Sequence, residues 1–303
     1  VHRGRVGLLV NPTAGRGAGR VAGLRALGEL RQLGHTVVDL TGGDLAEARA
    51  HLDAEVAALD AVVVVGGDGL VHVAVEAVAG TATALGVVPA GTGNDLARGL
   101  DLELGDPALA VQRVSAALRE GRSRAVDAVR VRTAERDGWF VSILASGVDA
   151  LINERANAWR WPSGPSRYTL AAITELARVR SVALRVVLDG DRVLDVDALL
   201  VAVANTRSYG GGLRMAPDAD PTDGLLDVVV VDALPAARAL RLFPLVRPGR
   251  HLSHPAVHVH RARSVRLEVR GGSASPRPHA DGEPAGSLPV TCEVVPGALR
   301  VLA

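Results

Sequence analysis

Three glycine-rich segments carry the residues best suited to chemistry: Asn11-Pro12-Thr13-Ala14-Gly15-Arg16-Gly17, Gly66-Gly67-Asp68-Gly69 and Gly91-Thr92-Gly93-Asn94-Asp95. Lacking a Cβ, glycine lets the backbone approach an anion closely and offer it amide N–H groups. A helix that starts at the same point adds partial positive charge. This is the chemistry of holding phosphates. Asp68 follows the apolar run Ala61–Val65, inside the glycine turn. A carboxylate there reads either as a helix N-cap or as a group near phosphates. Because a bare carboxylate would repel them, the second reading needs Mg²⁺ between the two, and it is the one favoured. Asp95 has a similar choice, between capping the helix that starts near Asn94 and holding other groups by hydrogen bonds. Further on, Asp281-Gly282-Glu283 sets two carboxylates on one short turn, a pattern that by itself reads as a surface hairpin turn.

The basic residues narrow the chemistry. The 303-residue chain contains no Lys, so every strong base is Arg. That excludes a GxxxxGK phosphate loop, the lysine of protein kinases and Schiff-base catalysis. The net charge of +1 gives no global field for nucleic acid.

The segments must be positioned by regular elements, and the first ~125 residues alternate strand and helix signals. Strands are expected at Arg5–Val10, His35–Leu40, Ala61–Val65 and Ala84–Val88. Helices are expected at Arg20–Leu33, Leu45–Leu59, Leu70–Ala79 and from Asn94, the first with Val21, Leu24, Leu27 and Leu30 as its apolar stripe. The unbroken apolar run Ala61–Val65 suits a strand covered on both faces of a parallel sheet. All three glycine segments then fall at carboxyl ends of parallel strands, the edge where open α/β sheets bind ligands. From Ala125 onward strand-like runs dominate: Ala125–Arg132, Trp139–Ala145, Val182–Leu188, Val193–Ala204, Leu226–Val231, Val257–Val259 and Val265–Val269. Asp189-Gly190 marks a hairpin, one helix is expected near Tyr168–Arg178, and Gly271–Pro278 reads as a loop. The expected fold is α/β plus mainly β: a three-layer parallel-sheet nucleotide-binding domain over 1–125 and an antiparallel β-sandwich domain over 126–303.

With 48% hydrophobic and 22% charged residues the chain has a globular balance, but only 2% is aromatic, so the core must be aliphatic. The single Cys292 lies in a strand-like run and reads as packing, in keeping with a reducing cytoplasm. Val1 to Val10 reads as a strand and not as a signal peptide, and no apolar run approaches the ~20 residues that span a bilayer. The expectation is a cytoplasmic protein, bound at most to a membrane surface.

The glycine segments, the third running from Pro89 to Arg98, resemble the diacylglycerol kinase catalytic family, which includes sphingosine and ceramide kinases; Leu70, after the second, stands where many bacterial relatives have Thr and is tolerated in sphingosine-kinase-like members. The resemblance continues in the family's order through Ala204-Asn205, Gly210-Gly211-Gly212, Ala216-Pro217-Asp218-Ala219, Asp223-Gly224-Leu225-Leu226-Asp227-Val228, Ala280-Asp281-Gly282-Glu283 and Leu288-Pro289. It implies an ATP- and Mg²⁺-dependent lipid kinase with its active site in the cleft between two domains and diacylglycerol as the leading acceptor. Residue by residue, it implies a nucleotide site of Asn11, Pro12, Thr13, Ala14, Gly15, Arg16, Thr41, Gly66, Gly67, Asp68, Gly69, Thr92, Asn94 and Asp95. Arg16 stands where bacterial relatives often have Lys, and can meet a phosphate bidentately. The resemblance also implies a Mg²⁺ site at Asp220, Asp223 and the carbonyl of Leu225, linked through water to Asp68. The general base is then Glu283 or Asp281, and the sequence leaves both open. The implied partner is a lipid met transiently at the inner face of the membrane; a homodimer is an allowed assembly.

The chain departs from the pattern at Val73, where many bacterial relatives carry Glu. That departure supports an alternative reading as a nucleotide-binding regulator without turnover. Other acceptors, a sphingoid base or an isoprenoid-like alcohol, remain open. NAD kinase, which shares a Gly-Gly-Asp-Gly turn, is disfavoured by the segments at Asp223 and Asp281. The histidines His251, His254, His258 and His260 fit no zinc spacing, and an exposed strand face is expected for His258 and His260. Trp159 and Trp161 with Arg155 and Arg160 read equally as a membrane-surface patch or a partly buried helix and loop.

Overall fold

A computed structural model describes residues 4–159, 165–178, 181–271 and 277–303. The expected patch residues Arg160 and Trp161 and part of the loop expected at Gly271–Pro278, residues 272–276, lie outside them. The chain forms two compact units, Val1–Ala128 with Pro296–Ala303, and Val129–Val295.

The first unit runs β1 (Arg5–Val10), α1 (Ala18–Gln32), β2 (Thr36–Asp39), α2 (Leu45–Glu55), β3 (Ala61–Gly66), α3 (Asp68–Val78), β4 (Ala84–Pro89), α4 (Asp95–Gly99) and α5 (Pro107–Glu120). Its sheet has the order β4-β3-β1-β2 and is parallel throughout. Every residue of β3 is buried, as a strand covered on both faces requires. Val6, Leu8, Val63 and Val65 share a core with Ala22, Ala26 and Leu30 of α1 and with Ala110, Val111 and Val114 of α5. Helices α2 and α3 pack against each other, α2 on β1 and α3 on β3 and β4.

The stripe expected on α1 is corrected. Val21 and Leu24 are 70% and 63% exposed, and the buried face is Gly19, Ala22, Gly23, Ala26 and Leu30. Close approach selects this face: a Cβ on Gly23 would lie 2.7 Å from Val10 Cγ1, and one on Gly19 would lie 2.2 Å from Asn11 O. Small residues let α1 lie directly on the strand it follows.

A further strand, β5 (Arg124–Arg132), leads into the second unit. That unit continues β6 (Asp137–Phe140), β7 (Ile143–Gly147), α6 (Val148–Ala158), α7 (Pro165–Leu176), β8 (Val182–Leu188), β9 (Arg192–Ala204), β10 (Leu226–Asp232), α8 (Ala236–Val246), β11 (Val257–Ala262), β12 (Ser264–Val269), β13 (His279–Ala280), β14 (Glu283–Pro284) and β15 (Val290–Val301). The last residues of β15 belong to the first unit, where Arg300 pairs with Ala84 of β4 in parallel. Strand pairing in the second unit is antiparallel. The long β9 has β10 on one edge, while β8 and then β7 share the other. Alternation divides its side chains between two cores. Val201 and Val203 join β8, β10, β12 and β15 in one; Leu200, Ala202 and Ala204 join Val148 of α6, Leu176 of α7 and Leu242 of α8 in the other.

Two expectations change here. The strand expected over Trp139–Ala145 is two strands, interrupted at Val141-Ser142. Beside the expected helix, α7, the unit holds α6 and α8. Pro244 inside α8 removes a donor and argues against a helix in the sequence, yet Ala239, Leu242 and Val246 keep the i, i+3, i+7 spacing of a buried face. Cys292 packs in the first of these cores, where burial pushes its thiol far up. His258 bonds Asp232, and His260 faces Arg192.

In the first turn of α6, Asp149 accepts a hydrogen bond from Tyr209 Oη at 2.7 Å. Burial holds its carboxyl above the usual range, opposed by the Tyr209 bond and by His279. A carboxyl raised on folding contributes stability that is present below its unfolded pKa and lost as pH rises through the folded value. Asp149→Asn keeps an acceptor for Tyr209 without the charge. Its urea midpoint should exceed that of the wild type at pH 8, with the gap closing toward pH 4. In α1, Gly23→Val should cost about 1–3 kcal/mol by overpacking, whereas Val21→Ser should stay within ~0.5 kcal/mol of wild type; the same denaturation measures both.

Candidate active site

In the first unit the three glycine turns leave the adjacent parallel strands β1, β3 and β4 at their carboxyl ends. Asn11 donates its amide to Val65 O at 2.8 Å, tying the first turn to β3. Its Oδ1 accepts from Thr13 N at 3.0 Å and Thr13 Oγ1 at 2.8 Å, an Asx turn. Gly15 and Arg16 follow with φ of 57° and 58°. Two successive left-handed residues turn the chain sharply before α1, at a strain for Arg16 that glycine does not feel. Arg16 is exposed and has no ion-pair partner among the described residues. Thr41 Oγ1 accepts from Val10 N at 3.2 Å, so this residue flanks the first turn.

The second and third turns touch through their backbones: a Cβ on Gly91 would lie 2.5 Å from the Gly67 Cα. Asp68 locks this contact. Its Oδ2 accepts from Asn94 N at 2.8 Å and its Oδ1 from Asp95 N at 2.5 Å. It therefore caps α4, the helix after the third turn, and not α3, in which it lies. Asn94, at φ 53°, closes the third turn on itself by bonding both N and O of Gly91 at 3.0 Å. Pro12, Ala14, Gly66 and Gly69 complete the three turns, and Thr92 stands exposed on the third. Val73 is buried within α3, at 7% exposure, so the departure from Glu falls at a packed position.

In the second unit, Asp281 and Gly282 have φ of 51° and 88° between the paired residues Ala280 and Glu283. Both central φ values are positive, as in a type I′ hairpin turn. The Asp281 carboxylate accepts from Val141 N at 3.0 Å and Ser142 N at 2.8 Å. These are the amides that interrupt the strand expected over Trp139–Ala145. Asn205, fully buried, holds the same dipeptide from its carbonyl side, with Nδ2 on Val141 O at 2.8 Å and its amide on Ser142 O at 2.9 Å. Glu283 is half-buried, and its carboxylate has no hydrogen-bond or ion-pair partner among the described residues. The two acids of this turn are thus in different states: one is committed to the backbone, the other is available.

Asp220 Oδ1 accepts from Thr222 N at 3.0 Å and Thr222 Oγ1 at 2.6 Å. Asp223 Oδ1 accepts from Leu225 N at 3.0 Å, and its Oδ2 is ion-paired with Arg261. Sequence reasoning gave no role to Asp227 or Arg261. Asp227 is 5% exposed, its Oδ2 has no hydrogen-bond partner, and Arg261 Nε lies 3.7 Å from its Oδ1. Burial raises its carboxyl, Arg261 opposes the shift, and Asp223 and Asp218 reinforce it. Asp220, Asp223 and the Leu225 carbonyl offer oxygens of the hard kind that Mg²⁺ takes, but among the described residues no group of three or more Asp, Glu, His or Cys side chains is arranged to hold a metal ion, and Arg261 pairs with Asp223 and Asp227.

Comparison with known proteins bears on this arrangement. A model of the diacylglycerol kinase catalytic domain matches residues 5–131, and one of the YegS C-terminal NAD kinase beta sandwich-like domain matches residues 142–303. A diacylglycerol kinase of Mycobacterium tuberculosis is 41% identical over 301 residues, 99% of this chain and 95% of that protein. The chain belongs to the diacylglycerol kinase family. A diacylglycerol kinase of Bacillus subtilis is 26% identical, covering 94% of this chain and 91% of its own. Among solved structures, a diacylglycerol kinase from Bacillus anthracis shares the fold with a TM-score of 0.72 at 19% identity, over 100% of this chain and 97% of that one. An NAD kinase from Archaeoglobus fulgidus in complex with ATP shares it at 0.56 and 14%, over 99% and 93%. This protein is a diacylglycerol kinase-like kinase of α/β plus β-sandwich fold. No helix among the described residues is long and apolar enough to cross a membrane.

The Asp281 clamp makes a stability prediction. Asn tolerates φ near 50° and keeps one acceptor oxygen, whereas Ala tolerates neither the turn nor the loss of both bonds. Urea denaturation should show a cost of about 1 kcal/mol for Asp281→Asn and about 3 kcal/mol for Asp281→Ala.

Proposed function

We propose that this kinase transfers the γ-phosphate of ATP to the hydroxyl of a lipid, diacylglycerol, giving phosphatidic acid and ADP. The observation that carries the assignment of roles is the commitment of both Asp281 oxygens to backbone amides, which leaves Glu283 as the general base. The glycine turns at Asn11–Gly17, Gly66–Gly69 and Gly91–Asp95 offer the phosphates close backbone approach and amide donors. Arg16 adds a guanidinium, and Thr13, Thr41 and Thr92 line the nucleotide site.

Phosphoryl transfer asks little covalent chemistry of the protein. The lipid hydroxyl oxygen attacks the γ-phosphorus, the bond to the β-phosphate oxygen breaks, and the hydroxyl proton passes to the Glu283 carboxylate. Bound Mg²⁺ supplies neutralisation of the charge on the phosphates. Asp68 would hold one such ion through water; Asp220, Asp223 and the Leu225 carbonyl would hold a second. Asp68 also fixes the amides of Asn94 and Asp95, so its loss loosens the third turn as well as weakening metal binding. Contact with the membrane is peripheral, at the face where the acceptor lies.

Transfer of label from ATP in the presence of Mg²⁺, measured on mixed micelles of diacylglycerol, sphingosine, ceramide or monoacylglycerol with NAD as soluble control, tests this reading. Label in phosphatidic acid is expected. Label only in another lipid would replace the acceptor, and ATP binding without transfer to any acceptor would favour the regulator. Glu283→Gln should lower kcat by ~10²–10⁴ with little change in the KM for ATP, and Asp281→Asn should lower it far less; the reverse order would make Asp281 the base.

A further inference from the structure

Between Asp232 and Glu268 the chain contains no carboxylate, although its overall charge is only +1. Helix α8 lies in this stretch. Its inner face, Ala239, Leu242 and Val246, is spent on the core of the second unit. Its outer face presents Arg238, Arg241 and Leu245 at i, i+3 and i+7, and Arg247 and Arg250 follow, all exposed. None of these four arginines has an ion-pair partner among the described residues. Five arginines elsewhere in the same unit do face acids: Arg130 with Asp137, Arg132 with Glu293, Arg185 with Asp195, Arg261 with Asp223 and Arg270 with Asp197. Helix α7, which packs beside α8, exposes Leu170 at 43% and Ile173 at 45%, and Leu245 on α8 is 38% exposed.

We infer that the outer face of α8, with the exposed apolar residues of α7, is where this protein docks on an anionic lipid bilayer. The inference deepens the lipid-kinase reading, on which it rests, by naming the surface and the lipid charge it requires. Guanidinium groups without internal acids are complementary to a negative surface, and each basic residue near such a surface strengthens attachment. The helix's apolar side is already used inside the protein, so attachment is mainly electrostatic, with Leu245, Leu170 and Ile173 reaching the headgroup boundary. Such binding is reversible and salt-sensitive.

Co-sedimentation of the full chain with phosphatidylcholine vesicles, with and without phosphatidylglycerol, tests the docking surface. Binding is expected only with phosphatidylglycerol, weakened by added salt. Arg238→Gln with Arg241→Gln should reduce it about 30-fold while leaving thermal unfolding and the phosphorylation of a water-soluble short-chain diacylglycerol unchanged. Equal binding to both vesicle types, or a double variant that binds as tightly as wild type, would overturn the proposal. So would sedimentation velocity showing that the substitutions dissociate an oligomer, because the face would then be covered by a second copy. If the vesicle results hold while no lipid is phosphorylated, the kinase reading fails and the docking surface stands.

Discussion

Asp68 joins the last two of the glycine turns in the first unit. One carboxylate accepts two successive amides from a turn 26 residues away and at the same time stands at the start of α4, where the helix end favours negative charge. Charge-assisted bonds of this kind are roughly twice as strong as neutral ones. The backbones they draw together have no room for side chains: a Cβ on Gly93 would lie 2.5 Å from Asp68 Oδ2. Glycine at Gly91 and Gly93 is therefore a packing requirement before it is a binding device.

The second unit solves a similar problem in the same way. Asp281 accepts two successive amides, from Val141 and Ser142, so two strands end and restart without leaving those donors unpaired. Asn205 takes up the carbonyls of the same dipeptide. In both units an aspartate carboxylate bridges two successive backbone amides. The two acids of the Asp281-Gly282-Glu283 turn thus differ in their bonding: the left-handed member is bound to two amides, and Glu283 has no partner among the described residues.

The parallel sheet of the first unit was legible because its strands are short, mostly aliphatic runs alternating with helical spacing, and β3 is an unbroken Ala-Val run ending at Gly66. The hairpin at Asp189-Gly190 was legible for a similar local reason. What was not legible depended on distance in the chain. The face of α1 was misread because Val21 and Leu24 are more hydrophobic than Ala22, Gly23 and Ala26, whereas the close strand beneath selects for size. The break at Val141-Ser142 has no local signal; it is set by Asp281 and Asn205, which the sequence separates from it widely. Helix α8 was hidden by Pro244. Among the site residues, the hold of Asp281 on two amides 139 and 140 residues away has no local signal either. Asp227 and Arg261 came together only through the pairing of β10 with β11.

A chain whose only strong base is arginine places special weight on where those arginines find partners. Arginine stays charged at any accessible pH and binds carboxylate or phosphate through a planar fork. Within the second unit's strands, this capacity is met by acids on neighbouring strands, which ties the sheet surface to itself. Arg16 is different: it sits on a strained turn, exposed, where the neighbouring backbone offers further donors. A guanidinium in that position gains nothing from the folded chain and is oriented by a turn whose geometry costs strain. A planar guanidinium fork in such a position is complementary to a carboxylate or a phosphate.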